Sequence, residues 1–356
     1  MKKLGLFLLV LLVIACEQEE KPQYSILSGT VENNTAETVF VRGNDFEKRT
    51  QIDENGSFLD TLHIKTDGFY EMYVGRERTG IYLEKGKTLS VTLDANEFDE
   101  TLKYTGDLGN INNFLAAKYL WNEQNLDYKE IFSKNEADFV EQLDKNQKSY
   151  DSLYTANAIN NEDFKEKLSV EDKYARAIML ENYQEAYRYY NDSTDFKVSD
   201  SFYDDLKNIS YTDTLAYRHS VAYQSLLDAH FNRLAAQEAS EKSNTDQAII
   251  YLKKVDESLP DGYAKDRIMS SYLQFGLKPN ESIDEVFDIY KNSNPGSENL
   301  TALTERYNKL KTITKGNSSP TFNFENHKGG YTSLESLKGK YVYIDVWATW
   351  CGPCLR

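Results

Sequence analysis

The hydrophobic rhythm of the chain changes twice between its ends. From about Tyr24 to Tyr104, short apolar and β-branched runs alternate with turn signals: Ile26–Val31, Thr38–Val41, Ser57–His63, Phe69–Val74, Ile81–Leu83 and Leu89–Leu93. Alternation between two faces, bounded by Gly and Asn, is the pattern of short half-buried strands. Six or more such strands in about 80 residues predict a small sandwich. Asn55-Gly56 predicts a tight hairpin, because both residues tolerate positive φ, and Lys85-Gly86 marks another turn.

From about Gly106 to Thr312 the spacing becomes three and four, which predicts helices. Pro260, Pro279 and Pro295 fall between periodic segments and mark loops. Ala177, Leu180, Tyr183, Tyr187 and Tyr190 form one apolar-aromatic stripe. With 26 tyrosines in the chain, the stripe reads as a core edge whose hydroxyls reach water. A helix over Asp213–Ser240 places Leu215, His219, Ala222, Leu226 and His230 on one face. The two histidines are about three turns apart, too far to share a metal. No fixed repeat period is visible.

Lys315 to Pro320 is a polar linker. Beyond it come Phe322 and Phe324, a Lys328-Gly329-Gly330 turn, a short helical turn at Ser333–Leu337, and an apolar run from Tyr341 to Trp347. That run predicts a buried strand. A strand apolar on both sides needs cover on both faces.

At the other end, Met1-Lys2-Lys3 is basic and Leu4–Ala15 is apolar. Twelve residues are too few to span a bilayer, which takes roughly 20. The pattern reads as a secretory signal. Leu12-Val13-Ile14-Ala15-Cys16 resembles the lipobox of bacterial lipoproteins. That resemblance implies a lipidated Cys16 and a membrane anchor, in the cell envelope, either facing the periplasm or at the surface. Glu17 to Pro22 reads as a solvated tether.

The expected layout is therefore an α+β multidomain protein. Residues 1–15 are a signal, 16–23 a tether, 24–105 an N-terminal β-sandwich, 106–313 a central all-α region, and 314–356 the start of a further α/β domain. A net charge of −16 argues against nucleic acid as a partner, since that binding needs a basic footprint. Only three cysteines exist, so with Cys16 lipidated the remaining pair is Cys351 and Cys354. In an exported chain an isolated Cys-x-x-Cys is a redox pair rather than a structural staple.

Cys351-Gly352-Pro353-Cys354 follows the predicted strand and is expected to open a helix. A thiol attacks a disulfide only as thiolate, and helix starts and Cys-x-x-Cys motifs lower its pKa from about 8.5. Gly352 allows close approach, and Pro353 suits the first helical turn. Cys351 is the expected exposed nucleophile and Cys354 the more buried resolving thiol. Asp345, six residues before Cys351, is a candidate buried proton acceptor for Cys354. Trp347 and Trp350 are expected to shield the pair from water.

These residues resemble the opening of a thioredoxin-fold domain of the membrane-anchored disulfide-reductase type. The resemblance is carried by Ser319-Pro320, Phe322, Gly329, Leu334, Leu337-Lys338-Gly339-Lys340 and Asp345-x-Trp347-Ala348-x-Trp350-Cys351-Gly352-Pro353-Cys354. It implies a nucleophile at Cys351, a resolving thiol at Cys354 and thioredoxin's buried acid at Asp345. It implies protein thiol and disulfide substrates and an envelope electron donor. No cofactor and no metal is expected. Many membrane-anchored relatives carry Asn where this chain has Asp345. The β-then-helical front also resembles, in layout, the N-terminal region often fused to such domains.

The resemblance covers only Pro320–Arg356, whereas the family continues through further strands, a helix and a cis-proline loop. The expectation is that this sequence is the truncated part of a longer protein, inactive on its own. Two other function classes compete. One is a peroxiredoxin-like thiol peroxidase, which ordinarily has Pro-x-x-x-Thr before its Cys; that motif is absent here. The other is a non-enzymatic envelope lipoprotein that binds a partner or glycan and carries an accessory redox domain. Half of a zinc site also suits two thiolates at this spacing, but no second pair lies within reach.

Overall fold

The computed structural model describes residues 22–43, 46–241, 245–345 and 347–355. The expected signal peptide and Cys16 lie outside the described residues. Within them, the chain mixes sheets and helices, and it divides into two compact units, residues 1–230 and 231–356.

Unit 1 begins with eight strands: β1 (Ser25–Glu32), β2 (Thr38–Gly43), β3 (Phe46–Gln51), β4 (Ser57–Leu62), β5 (Gly68–Val74), β6 (Glu77–Leu83), β7 (Thr88–Asp94) and β8 (Lys103–Thr105), with a short helix α1 (Phe98–Thr101) before β8. They form two four-stranded sheets, ordered β4-β1-β7-β8 and β3-β2-β5-β6. Pairing is antiparallel except between β1 and β7. Both sheets feed one core. Leu27, Val31, Leu89 and Val91 come from the first sheet, and Val39, Val41, Met72 and Ile81 from the second. Two strands escaped the sequence pattern. β3 is polar (Glu47, Lys48, Arg49), and β8 has three residues.

Asn55-Gly56 does not close a hairpin. It carries the chain from β3 in one sheet to β4 in the other. The Asp53 side chain accepts from the N–H groups of Asn55 and Ser57 at 2.8 and 2.9 Å, which shapes the corner. Gly56 has φ +78°, and a Cβ there would lie 2.3 Å from the Val31 carbonyl oxygen. Of the two residues only Gly56 takes positive φ; the turn expected of Asn-Gly in a hairpin is replaced by a corner between sheets.

The helices of unit 1 are α2 (Gly109–Asn125), α3 (Tyr128–Ser133), α4 (Glu136–Ala156), α5 (Glu162–Tyr190), α6 (Thr214–His219) and α7 (Val221–Glu241), the last of which runs across the unit boundary. Consecutive residues of α2 dock it on the sheets. The buried Asn112 accepts from the Tyr82 N–H at 2.8 Å and donates to the Tyr82 carbonyl at 3.1 Å. Asn113 does the same to Tyr104, with both bonds at 2.8 Å. Tyr82 lies on β6 and Tyr104 on β8, the edge strands of the two sheets. Each asparagine amide thus takes the place of a missing neighbour strand. At the opposite edges, Asp60 of β4 accepts from the Thr50 hydroxyl of β3 at 2.7 Å and pairs with Lys48 at 3.4 Å. Ile111, Phe114, Phe164 and Leu168 join the sheet core, so the first helices and the sheets pack as one body.

The tyrosine stripe of α5 lies partly deeper than a core edge. Ala177, Leu180 and Tyr183 are buried, and the Tyr183 hydroxyl donates to the Lys134 carbonyl at 2.6 Å rather than to water. The single helix expected over Asp213–Ser240 is two helices. Ser220 is extended (φ −121°, ψ 119°), and its hydroxyl accepts from the Tyr223 N–H at 3.0 Å, capping α7. The break leaves Leu215 and His219 exposed. His230 is half-buried, at 2.9 Å from the fully buried Glu181 carboxylate.

Unit 2 holds α8 (Gln247–Ser258), α9 (Tyr263–Gly276), α10 (Ile283–Asn292) and α11 (Ser297–Lys311), with Pro260, Pro279 and Pro295 between successive helices. Their core includes Leu252, Val255, Met269, Leu273 and Tyr290. The buried Lys265 is held by Asp256 and Asp261, each at 2.9 Å. After α11 come a hairpin of β9 (Asn323–Glu325) and β10 (Tyr331–Ser333) and a single 3-10 turn at Glu335–Leu337.

Two expectations follow from this packing. Replacing Asn112 by Ala leaves the buried N–H and C=O of Tyr82 unpaired, at about 1–3 kcal/mol each. We expect N112A to lower unit 1 stability by about 2–4 kcal/mol and to speed hydrogen exchange at the Tyr82 amide; an unchanged urea midpoint contradicts the edge-closing role. Gly56→Ala combines a positive φ with a backbone clash and should cost about 1–3 kcal/mol or more. Gly80→Ala, where a Cβ meets nothing within 4 Å, is the control and should be near neutral in the same thermal melt.

Candidate functional site

The Cys351–Cys354 pair sits on two consecutive tight turns. The Cys351 N–H donates to the Ala348 carbonyl at 3.0 Å, and the Cys354 N–H to the Cys351 carbonyl at 2.9 Å. The second turn continues as a 3-10 segment, Gly352–Leu355. This brings the two Cα atoms to 5.3 Å, and the sulfurs are joined as a disulfide. That separation lies in the ordinary disulfide range, so one turn of chain suffices to close the ring. A Cβ at Gly352 would meet nothing within 4 Å. No close approach therefore requires the glycine in this conformation.

The surroundings differ from expectation in four respects. The strand expected over Tyr341–Trp347 is not formed: Tyr341–Asp345 has no regular structure. Its apolar side chains are exposed, Tyr343 at 90% and Ile344 at 67%. The physical reason is the one a two-faced apolar strand imposes: no described element pairs with its edges or covers its faces, so it gains no ladder and no burial. Asp345, expected to be buried, is exposed.

Trp347 and Trp350, expected as shields, are 60% and 86% exposed. Finally, Cys351 is half-buried and Cys354 exposed, the reverse of the expected order. The short 3-10 turn provides little of the aligned backbone dipole that a full helix start supplies. What holds the pair is local, the two backbone turns; upstream, the β9–β10 hairpin is closed by its own Asn326–Gly330 connection. There the Asn326 N–H donates to the Gly330 carbonyl at 2.8 Å, with Gly329 and Gly330 both at positive φ.

No group of three or more His, Cys, Asp or Glu side chains suited to a metal occurs among the described residues. A different feature of unit 1 is a cavity of about 550 Å³ between α2, α3, α4 and α5, walled by Leu126, Ile131, Leu143, Ile178 and Met179. At its rim Lys118 pairs with Asp172 and Arg176 with Asp144, so its charged groups are already matched in pairs.

No family model matches the chain. Short segments are similar to curated thiol–disulfide oxidoreductases. The thiol–disulfide oxidoreductase ResA of Bacillus subtilis is 41% identical over 44 residues, which is 12% of this chain and 25% of the relative. The thioredoxin-like protein YneN of the same organism is 40% identical over 53 residues, 15% of this chain and 31% of the relative. A ResA from Geobacillus kaustophilus is 32% identical over 56 residues, covering 16% and 32%. The chain therefore spans about a quarter to a third of the length of these relatives. The likeness supports a thioredoxin-like segment and, in general terms, a thiol–disulfide redox function.

Proposed function

We propose that the protein is a thiol–disulfide oxidoreductase of the bacterial envelope that reduces protein disulfides through Cys351 and Cys354. The observation that carries this reading is the disulfide itself, closed within one turn, solvent-accessible and flanked by Trp350 and Gly352. The similarity to named thiol–disulfide oxidoreductases supports it.

The chemistry balances as two exchanges. In the reduced pair, the Cys351 thiolate attacks one sulfur of a substrate disulfide. A Cys351–substrate disulfide forms and one substrate thiolate leaves. The Cys354 thiolate then attacks the Cys351 sulfur, closing the Cys351–Cys354 bond and expelling the second substrate thiolate. The substrate gains two electrons, the dithiol loses two, and a donor dithiol of the envelope restores the pair. Asp345 accepts the Cys354 proton in this scheme only in a setting that buries it. Trp347 and Trp350 pack around the pair in the same setting.

The reading includes the anchor: Cys16 is lipidated and holds the protein at the membrane. Multiple acyl chains make such attachment stable, since each buried CH₂ adds about 0.8 kcal/mol. No described helix is long and apolar enough to cross a membrane. A second reading, a partner-binding lipoprotein with an accessory redox segment, is favoured by the large share of the described chain given to the sheets and helices.

Two outcomes test these statements. In insulin reduction driven by dithiothreitol, with any residues that follow Arg356 in the gene included, Cys351→Ser should lower turnover at least about 100-fold. Cys354→Ser should accumulate mixed disulfides visible on non-reducing gels; retained turnover in the first variant, or no trapped species in the second, contradicts the assigned roles. Cys16→Ala should move the protein from the membrane to the soluble fraction, and continued sedimentation with membranes argues for another anchor.

A further inference from the structure

The outer face of the β3-β2-β5-β6 sheet carries an ordered array of arginines, aromatic rings and glutamates that the redox reading does not use. Across the four strands, one row is Arg49–Phe40–Tyr73–Arg78, each residue the registered partner of the next. The next row on the same face is Glu47–Arg42–Glu71–Gly80. The Arg49 guanidinium lies 4.1 Å from the Phe40 ring centroid, and that of Arg42 4.9 Å from Tyr73. Glu71 is the hub: it accepts from Arg42 at 2.9 and 3.0 Å, from the Tyr73 hydroxyl at 2.7 Å and from Arg78 at 3.3 Å. Partial burial opposes its charge, but the bonds from Tyr73 and Arg42 outweigh that and hold its carboxyl below the usual range. Long side chains are thus set in place before any ligand arrives.

Sheet stability alone accounts for much of this, since cross-strand pairs contribute roughly 0.2–1 kcal/mol each. It leaves the β3 end unexplained. Arg49 has no carboxylate partner and Glu47 no cation among the described residues. They stand two residues apart on one face, about 7 Å along the strand. An open fork of donors and an open acceptor therefore sit side by side beside half-buried rings. All four arginines between residues 24 and 105 lie on this sheet or in the turn joining β5 and β6, in a chain of net charge −16. The far end of the same face is closed by α5, where Phe69 meets Phe164 and the Tyr82 hydroxyl donates to Asp163 at 2.8 Å. The arginine end is exposed, and above Gly80 there is open space.

We propose that this face binds a polysaccharide bearing carboxylates, that is, a uronic-acid glycan. The sugar carboxylate pairs with the stacked Arg49, whose planar fork suits it. Its hydroxyls donate to Glu47 and to the rim of Glu71, and its C–H face lies against the exposed parts of Phe40 and Tyr73. The row from Arg49 to Arg78 spans about 14 Å, three strand spacings, which is the reach of a short oligosaccharide. The glutamates discriminate between polyanions. A nucleic acid or an acidic peptide has few hydroxyls to offer Glu47 and Glu71, whereas a sugar acid uses donors and acceptors together.

The experiment is isothermal titration of the whole protein with oligogalacturonate, set beside neutral dextran, poly-L-glutamate and oligothymidylate. Expected are binding to oligogalacturonate that weakens with salt, binding at least tenfold weaker to the other three, and an Arg49→Ala loss of at least tenfold with an unchanged thermal midpoint. Arg49→Lys should fall between the two, because it keeps the charge and loses the planar fork. No oligogalacturonate binding, equal binding of dextran, tighter binding of poly-L-glutamate or oligothymidylate, or an R49A variant that binds as the parent does, each overturns the proposal. Cys351→Ser should leave the affinity unchanged, so a failure of the redox reading and a failure of this one are told apart.

Discussion

Two neighbouring side-chain amides hold the β-rich part of this protein to its helices. An edge strand presents a row of unpaired N–H and C=O groups, which is costly when buried and an invitation to wrong partners when open. Here the inner edge of each sheet ends against α2, and Asn112 and Asn113 each supply one donor and one acceptor to a strand residue, Tyr82 and Tyr104. Adjacent positions on a helix point about 100° apart, so a single helix lying between two sheets can address both. The side chain must be Asn-like: an aspartate cannot donate, an aliphatic residue can do neither, and a longer amide needs more room. At the outer edges, Asp60 of β4 meets Thr50 and Lys48 of β3 through side chains.

The exposed chemistry of the second sheet lies on its outer face. One end of the second sheet's outer face is taken by α5. The other carries the arginine–aromatic rows, whose order is set by strand register: Phe40, Tyr73 and Arg78 are far apart in sequence and adjacent only because β2, β5 and β6 pair as they do.

The disulfide follows a different logic. Its two sulfurs are three residues apart and meet through two backbone turns, so the bond needs almost nothing from the rest of the molecule. Its reactivity does. The thiolate fraction depends on dipoles, nearby charge and desolvation, and in the described structure Asp345, Trp347 and Trp350 leave the pair in contact with solvent. The described part of the apolar run before it, Tyr341–Asp345, has no regular structure and is exposed, since no described element covers its faces.

The sequence by itself determined what depends on neighbours a few residues away. The β rhythm of residues 24–105, the helical rhythm after it, the prolines between helices, the Gly56 corner and the Cys351–Cys354 ring are all local, and periodicity or turn chemistry records them. Tertiary structure decided whatever needs a distant partner. β3 is a strand because β2 lies beside it, although its own residues are polar. Asn55-Gly56 turns the chain between sheets instead of within one. Ser220 breaks a helix that apolar spacing alone would continue, its hydroxyl capping α7. Asp345 and the tryptophans are exposed because burial is conferred by other elements and not by composition. Register across four strands, finally, assembles Arg49, Phe40, Tyr73 and Arg78 into a row that no linear pattern contains.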